Sequence, residues 1–324
     1  MFPPGIVLGA LALSIPIAAQ ATAGPSPTVQ VRPYHGWADC IWLGNGIVEL
    51  VVVPQIGRIL RYGFVGKANV LFENAALQGR MHADAWNGAD WLNFGGDKLW
   101  PAPQSVWGFP PDPQIDGRPQ QVEILPGPRV RLVSQASESY GIRFEREIAL
   151  DRAGAGITIT NTMRNVSSTP RTWGVWQITQ LADPTVAVMP RSRTGRMPAG
   201  FHVIQPPEKG AVQADRNEVR FRRSPRVPGK IGGDARGGWL AADVGADRFT
   251  CSTAVEPNAT YCDGGCPLEI WSNPDPLKYM ELELLGPVRT LGPGETATLV
   301  VRWNLRRAGR PSAAKTGRRP TPRR

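Results

Sequence analysis

Histidine is scarce in this chain, with three residues in 324, at positions 35, 82 and 202. None stands beside a serine, a cysteine or a second histidine at a spacing that would build a nucleophilic triad. A zinc site wants two close ligand pairs or nearby histidines. Only one close pair exists, Cys262 and Cys266, so no metal is expected. No glycine-rich phosphate loop lies between a strand and a helix, and no cofactor is expected. There is no amphipathic helix of three turns and no internal repeat. After the N-terminal segment, no apolar run is long enough to span a bilayer.

Acid is missing from the C-terminal tail. Residues 306–324 (RRAGRPSAAKTGRRPTPRR) carry eight Lys or Arg and no Asp or Glu. They account for eight of the ten net positive charges, so the remainder is near neutral at +2. The basicity is that of a disordered tail, not of a nucleic-acid-binding domain. Such a tail could meet anionic surfaces or simply stay solvated.

The N-terminus runs apolar from Gly5 to Ala19 and is followed by Ala21-Thr22-Ala23. That pattern reads as a secretory signal peptide over residues 1–23, which places the mature protein in the periplasm or outside a bacterial cell. The four cysteines, Cys40, Cys251, Cys262 and Cys266, form an even set in an exported chain and are expected to make two disulfides. The two glycines of Cys262-Asp-Gly-Gly-Cys266 would let a small ring close, leaving Cys40 to pair with Cys251. Cys251–Cys262 across a hairpin is the rival.

What the chain has in quantity is strand. Residues 47–53 (IVELVVV), 57–64 and 69–73 come early. After residue 113, segments at 122–125, 130–135, 142–150, 156–164, 171–181 and 186–189 alternate apolar and polar residues between turn signals. Weaker segments at 219–221 and 239–242 lead to 247–255, 268–271, 279–285 and 296–304. Short, closely spaced strands predict an all-β sandwich or barrel over residues 24–305. Residues 24–46 read as a lead-in. Residues 205–237, rich in Pro, Gly and Arg, read as an excursion at a sheet edge.

Residues 91–113 (WLNFGGDKLWPAPQSVWGFPPDP) hold three Trp, two Phe and five Pro. This reads as a stiff loop that either plugs the sandwich or presents stacking faces and polar tips to a small polar ligand. The second informative stretch is residues 279–285 (YMELELL). As a strand it turns Tyr279, Glu281 and Glu283 to one face and Met280, Leu282 and Leu284 to the other. Two carboxylates on one face could be tuned for acid or base work, or could be a solvated row of charges.

The order of Pro54-Gln55-Ile56-Gly57-Arg58-Ile59, Asn93-Phe94-Gly95-Gly96, the strand run, the acidic strand and Pro293-Gly294-Glu295 resembles the galactose mutarotase-like proteins, the aldose 1-epimerase superfamily. The run Asn93-Phe94-Gly95-Gly96-Asp97-Lys98-Leu99-Trp100-Pro101-Ala102-Pro103-Gln104 is similar, more narrowly, to the DUF4380 family of bacteria. The likeness covers about residues 34–305. It implies a β-supersandwich with a sugar on a concave sheet, lined by an early Arg, two His and a late Glu that takes the anomeric proton. Arg58 (or Arg61) would match the Arg, and Glu281 or Glu283 the base. Phe94 stands where one His is expected, and residues 173–179 contain no other. Asp97, Lys98 or His82 would have to replace the proton donor. The expected site is therefore Glu281, Glu283 and Asp97 for catalysis, with Arg58, Asn93, Lys98, Trp100, Trp176 and Gln177 for a carbohydrate. An epimerase-type activity, a polysaccharide lyase or hydrolase, and a non-catalytic sugar-binding module of the cell envelope all fit these residues.

Overall fold

A computed structural model describes residues 27–307 except Ala89 and Gly195. The expected signal peptide and residues 308–324 of the expected tail lie outside the described residues, and Arg306 and Arg307, expected in that tail, instead end the last strand. The strands are β1 (Thr28–Tyr34), β2 (Trp37–Gly44), β3 (Val48–Val53), β4 (Arg58–Phe64), β5 (Asp97–Ala102), β6 (Gln121–Leu125), β7 (Arg129–Val133), β8 (Ile142–Leu150), β9 (Ile157–Asn165) and β10 (Arg171–Ala182). They continue with β11 (Val186–Pro190), β12 (His202–Gln205), β13 (Val212–Ala214), β14 (Glu218–Arg222), β15 (Gly229–Gly233), β16 (Trp239–Val244), β17 (Asp247–Thr253), β18 (Leu268–Ser272), β19 (Tyr279–Leu285), β20 (Arg289–Leu291) and β21 (Thr296–Arg307).

They form two antiparallel sheets. The larger runs β1-β2-β3-β4-β5-β10-β19-β18-β15-β12, with β20 against β10; the smaller runs β13-β14-β11-β16-β17-β21-β9-β8-β7-β6. The sheets pack through alternate residues. On β8 and β9 every second side chain is buried, and Ile148 and Ile159 join Met280, Leu282 and Leu284 in the inter-sheet core. Each such side chain contributes about 1.5–3 kcal/mol by leaving water. The larger sheet is covered on its other face as well. That is why β10 is buried almost end to end, without alternation.

Four expectations are corrected. Residues 28–44 form the hairpin β1–β2 rather than a lead-in. The stretch at 205–237 supplies edge strands and also β15, which pairs with β18 inside the larger sheet. Within residues 91–113, Asp97–Ala102 is not loop but a strand between β4 and β10. Pro101 is tolerated there because β4 pairs with β5 only at Ile59 and Asp97, so no ladder bond is lost beyond that point. Gly95 and Gly96 feed this strand at φ +91° and +70°. A Cβ on either would lie 2.2 Å from a backbone oxygen, of Phe72 and of Ile59 respectively, so only glycine fits. The expected strand at 69–73 makes only single bridges, at Leu71 and Glu73. Asn69 takes over the ladder there: its side chain accepts from the Tyr62 and Leu71 N–H groups and donates to the Leu60 carbonyl.

The four cysteines are free thiols, which corrects the disulfide expectation. Cys251 belongs to the inter-sheet core, whereas Cys40 packs in a separate cluster with Trp37 and Phe94. A covalent Cys40–Cys251 link would have to join two different layers. Cys262 and Cys266 are joined by a backbone turn, the Cys266 N–H donating to the Cys262 carbonyl at 3.0 Å.

Candidate functional site

The pleat sorts the candidate residues. On β19, Met280, Leu282 and Leu284 point between the sheets, so Glu281 and Glu283 point out of the sandwich. On β5, Leu99 points inward, which places Lys98 and Trp100 on the outer face. Register aligns the outer face across strands. Trp100 opposes Trp176, Gln180 opposes Glu281, Glu283 opposes Glu269, and Trp271 opposes Lys230.

These side chains floor a cavity of about 460 Å³, lined among others by Trp91, Trp100, Phe109, Trp176, Trp271, Lys230, Asp263, Glu281 and Glu283. Its aromatic wall is pinned by a single carboxylate. Asp116 accepts the Trp100 indole N–H at 2.9 Å on one oxygen and that of Trp91 at 2.7 Å on the other. Arg58 donates to the same Asp116 at 2.6 Å and neutralises it. The indoles meet edge to face, Trp100 lying 5.4 Å from Trp91 and 5.5 Å from Trp176.

Two lysines hold the carboxylates. Lys98 Nζ lies 3.0 Å from Glu281 Oε1, which also accepts from Gln180 Nε2 at 2.8 Å. The Lys98 ammonium rests 4.9 Å from the centre of Trp100. Lys230 Nζ sits between Glu269 at 2.5 Å and Glu283 at 2.9 Å, and Trp176 Nε1 donates to Glu283 at 2.8 Å. Burial pushes the Glu269 carboxyl well above its ordinary range; Lys230 opposes this, and Glu283 reinforces it. Burial also raises Glu283, again against Lys230 and with Glu281 repelling. Burial alone would discharge Lys230, but its two carboxylate neighbours outweigh that and raise its pKa. Both carboxyls are thus biased toward their protonated forms beside a charged lysine.

The expected residues divide accordingly. Glu281, Glu283, Trp100 and Trp176 line the cavity. Lys98 stands behind Glu281, fully buried. Arg58 was expected at the sugar; instead it braces the aromatic wall through Asp116. Asn93 shapes the glycine turn, its Oδ1 accepting the Gly95 N–H at 3.2 Å. Asp97 and Gln177 are corrected to the opposite face. Asp97 takes Arg146 of β8, Gln177 Nε2 at 2.9 Å and Thr179 Oγ1 at 2.7 Å between the sheets. Read as loop neighbours, Asp97 and Lys98 could share a site; as strand neighbours they cannot. His82 lies outside the cavity lining, and burial lowers its pKa, with Arg118 adding to the effect.

Sequence reasoning missed Lys230, Glu269, Asp116 and Asp263. Only Glu269 left a signal, as the polar member beside Leu268 and Ile270 in an alternating strand. Among the described residues, no group of three or more His, Cys, Asp and Glu is placed to hold a metal ion, and no helix is long and apolar enough to cross a membrane.

The fold is that of the galactose mutarotase-like proteins. A galactose mutarotase-like protein from Clostridium acetobutylicum superposes with a TM-score of 0.57 at 12% identity, over 87% of this chain and 99% of that one. One from Lactobacillus casei gives 0.55 at 9% identity, over 82% of this chain and 100% of that one. A galactose mutarotase related enzyme from Lactobacillus acidophilus gives 0.51 at 10% identity, over 82% and 97%. No curated protein matches the sequence. The profile of the domain of unknown function DUF4380 matches residues 39–306, and the chain belongs to that family.

Proposed function

We propose that the cavity on the outer face of the larger sheet binds a carbohydrate and carries out proton transfer at its anomeric centre. The observation that carries this reading is one enclosure combining indole faces with two lysine-held carboxylates, Glu281 and Glu283. Indoles cover the apolar faces of a sugar ring, and carboxylates and ammonium groups take its hydroxyls. The shared fold with proteins described as galactose mutarotase-like supports the ligand class.

In this reading Glu281 is the base for the anomeric hydroxyl. The proton for the ring oxygen comes from Glu283, which burial and the neighbouring Glu281 predispose to be protonated against the pull of Lys230. That supplies an acid without histidine. A non-catalytic binding module is the second reading, favoured by the fact that Glu281 and Glu283 are already engaged with lysines. Two-dimensional exchange NMR on a panel of hexoses separates the two. Accelerated exchange between anomers supports the enzyme; binding without exchange supports the module; absence of both refutes the carbohydrate reading. We further propose that the protein works outside the cytoplasm, on the strength of the apolar run before Ala21-Thr22-Ala23. A mature N-terminus at Met1 in the native host would refute export.

A further inference from the structure

A second cavity, of about 610 Å³, is lined by Arg191, Arg193, Arg196 and Arg236. Two acids also reach it, and each already has its own arginine. Arg196 lies 2.8 Å from Asp234, and Arg289 lies 2.5 Å from Glu256. Asp234 is satisfied further by the hydroxyls of Ser192 and Thr194. The other three arginines have no carboxylate within ion-pair distance among the described residues, although Arg191 feels the Asp215 carboxylate through space. Arg191 donates to the Asp215 carbonyl at 2.9 Å. Arg193 donates to the Arg216 carbonyl at 3.0 Å and to Asn217 Oδ1 at 2.9 Å. Among the described residues Arg236 makes no ion pair or side-chain hydrogen bond. Neutral acceptors orient a guanidinium without cancelling its charge. Two uncompensated guanidiniums, those of Arg193 and Arg236, with Arg191 beside them, attract anions and present the forked donors that fit carboxylate and sulfate.

The linings of the two cavities draw on two common chain segments. Lys230 lines the aromatic one, and Asp234, Ala235 and Arg236 line the arginine one. At strand rise, Lys230 and Asp234 stand about 13 Å apart. The segment carrying Tyr261, Asp263 and Pro267 serves both, with Asp263 in the aromatic cavity and the other two in the arginine cavity. Charge is divided between them. Carboxylates of Glu281, Glu283 and Asp263 line the first with one ammonium, that of Lys230, and four guanidiniums line the second with two carboxylates, those of Asp234 and Glu256. A ligand spanning both must therefore put its acidic groups in the second.

We propose that the arginine-lined cavity holds the carboxylate or sulfate groups of an acidic polysaccharide whose end occupies the aromatic cavity. This rests on the carbohydrate reading above. The test is calorimetric titration of the full chain with a galacturonate trisaccharide, a sulfated heparin-derived oligosaccharide and a neutral trisaccharide, repeated on an Arg193→Gln/Arg236→Gln double variant. Both substituted residues are exposed, and a thermal melt checks that the fold is retained. The basic tail is present in both proteins, so its contribution cancels.

One or both acidic ligands should bind about tenfold or more tighter than the neutral one, as charge-assisted hydrogen bonds would give, and the double variant should lose that preference. Which acidic ligand wins tells carboxylate from sulfate. A neutral trisaccharide that binds as tightly as both acidic ones overturns the inference and leaves the carbohydrate reading standing. So does a preference that survives in the double variant. A single-stranded oligonucleotide of matched charge that binds equally well, with the same arginine dependence, also overturns it, because the site is then a general polyanion patch. If none of the three saccharides binds, the carbohydrate reading falls and takes this inference with it.

Discussion

Glu269 and Glu283 face each other directly across the antiparallel pair β18–β19, both fully buried, with Lys230 Nζ within 2.9 Å of each. Like charges in directly opposed positions destabilise a sheet, and burial adds to the cost. Both carboxyls are shifted upward from their ordinary range. A raised folded-state pKa favours the protonated fold. Its stabilisation is complete below the unfolded value of about 4.3 and is lost as pH rises through the folded value. Glu269→Gln removes one of the two charges and leaves Lys230 and Glu283 as a balanced pair. Its melting temperature should therefore fall less than that of the wild type between about pH 4 and pH 8, and exceed it at the upper end. Melts across that range check this; parallel curves would show that the pair carries no such penalty.

Lys230→Met should act in the opposite sense. Removing the only cation that touches Glu269 or Glu283 among the described residues leaves two buried carboxylates without compensation, a loss of about 3–5 kcal/mol at neutral pH. The loss should shrink in acid, where protons replace the lysine. Denaturant unfolding at two pH values measures it, and an equal loss at both would refute the linkage.

Asp97 tests where the site ends. Its carboxylate satisfies Arg146, Gln177 and Thr179 between the sheets. Asp97→Ala should destabilise by about 3–5 kcal/mol, because Arg146 is left as a buried unpaired charge. Sugar affinity per folded molecule, measured at low temperature by calorimetry, should not change. Lost affinity in a fully folded variant would bring Asp97 back into the site.

How much of this was legible in the sequence depends on what carried the information. The strands at residues 142–150 and 279–285 were readable to the residue, because their alternation is a local property. The outward face of Glu281 and Glu283 followed from the same alternation. It failed for Asp97 and Lys98, because tryptophan and proline density disguised a strand as a loop. Lys230 was hidden in Gly-Lys-Ile-Gly-Gly, a strand without enough side chains to show a period. The Lys98–Glu281 contact joins residues 183 apart, and only strand order brings them together. The even cysteine count carried no information about layers, and so it paired residues that the fold separates.

The thiols give a direct check on that last point. All four should be alkylated in protein that is denatured without reductant, giving four adducts by mass. In the native protein they should react slowly. Burial raises all four, and Cys40 is pushed up to about 11, so little thiolate exists at neutral pH. Two adducts instead of four in the denatured sample would restore a disulfide.

Glu281 and Trp100 separate catalysis from binding. Glu281 lines the cavity, is held by Lys98 and Gln180, and lies on the face away from Met280 and Leu282. Glu281→Gln keeps the shape and the hydrogen-bonding capacity of the side chain but cannot take a proton. Anomeric exchange should be abolished while sugar affinity falls only modestly. Trp100 has a different position. Its indole N–H is fixed by Asp116, and its ring packs edge to face on Trp91, Trp107 and Trp176. Trp100→Ala should cost binding on the order of 1 kcal/mol through lost stacking, and more if Trp91 loosens. Asp116→Asn distinguishes these two parts. It removes the charge that Arg58 neutralises and weakens the acceptor for two indoles, so it should lower affinity with Trp91 and Trp100 still present. Calorimetry and exchange NMR on the three variants check the pattern. Exchange that survives Glu281→Gln would move the base elsewhere, and affinity that survives Trp100→Ala would move the sugar off this wall.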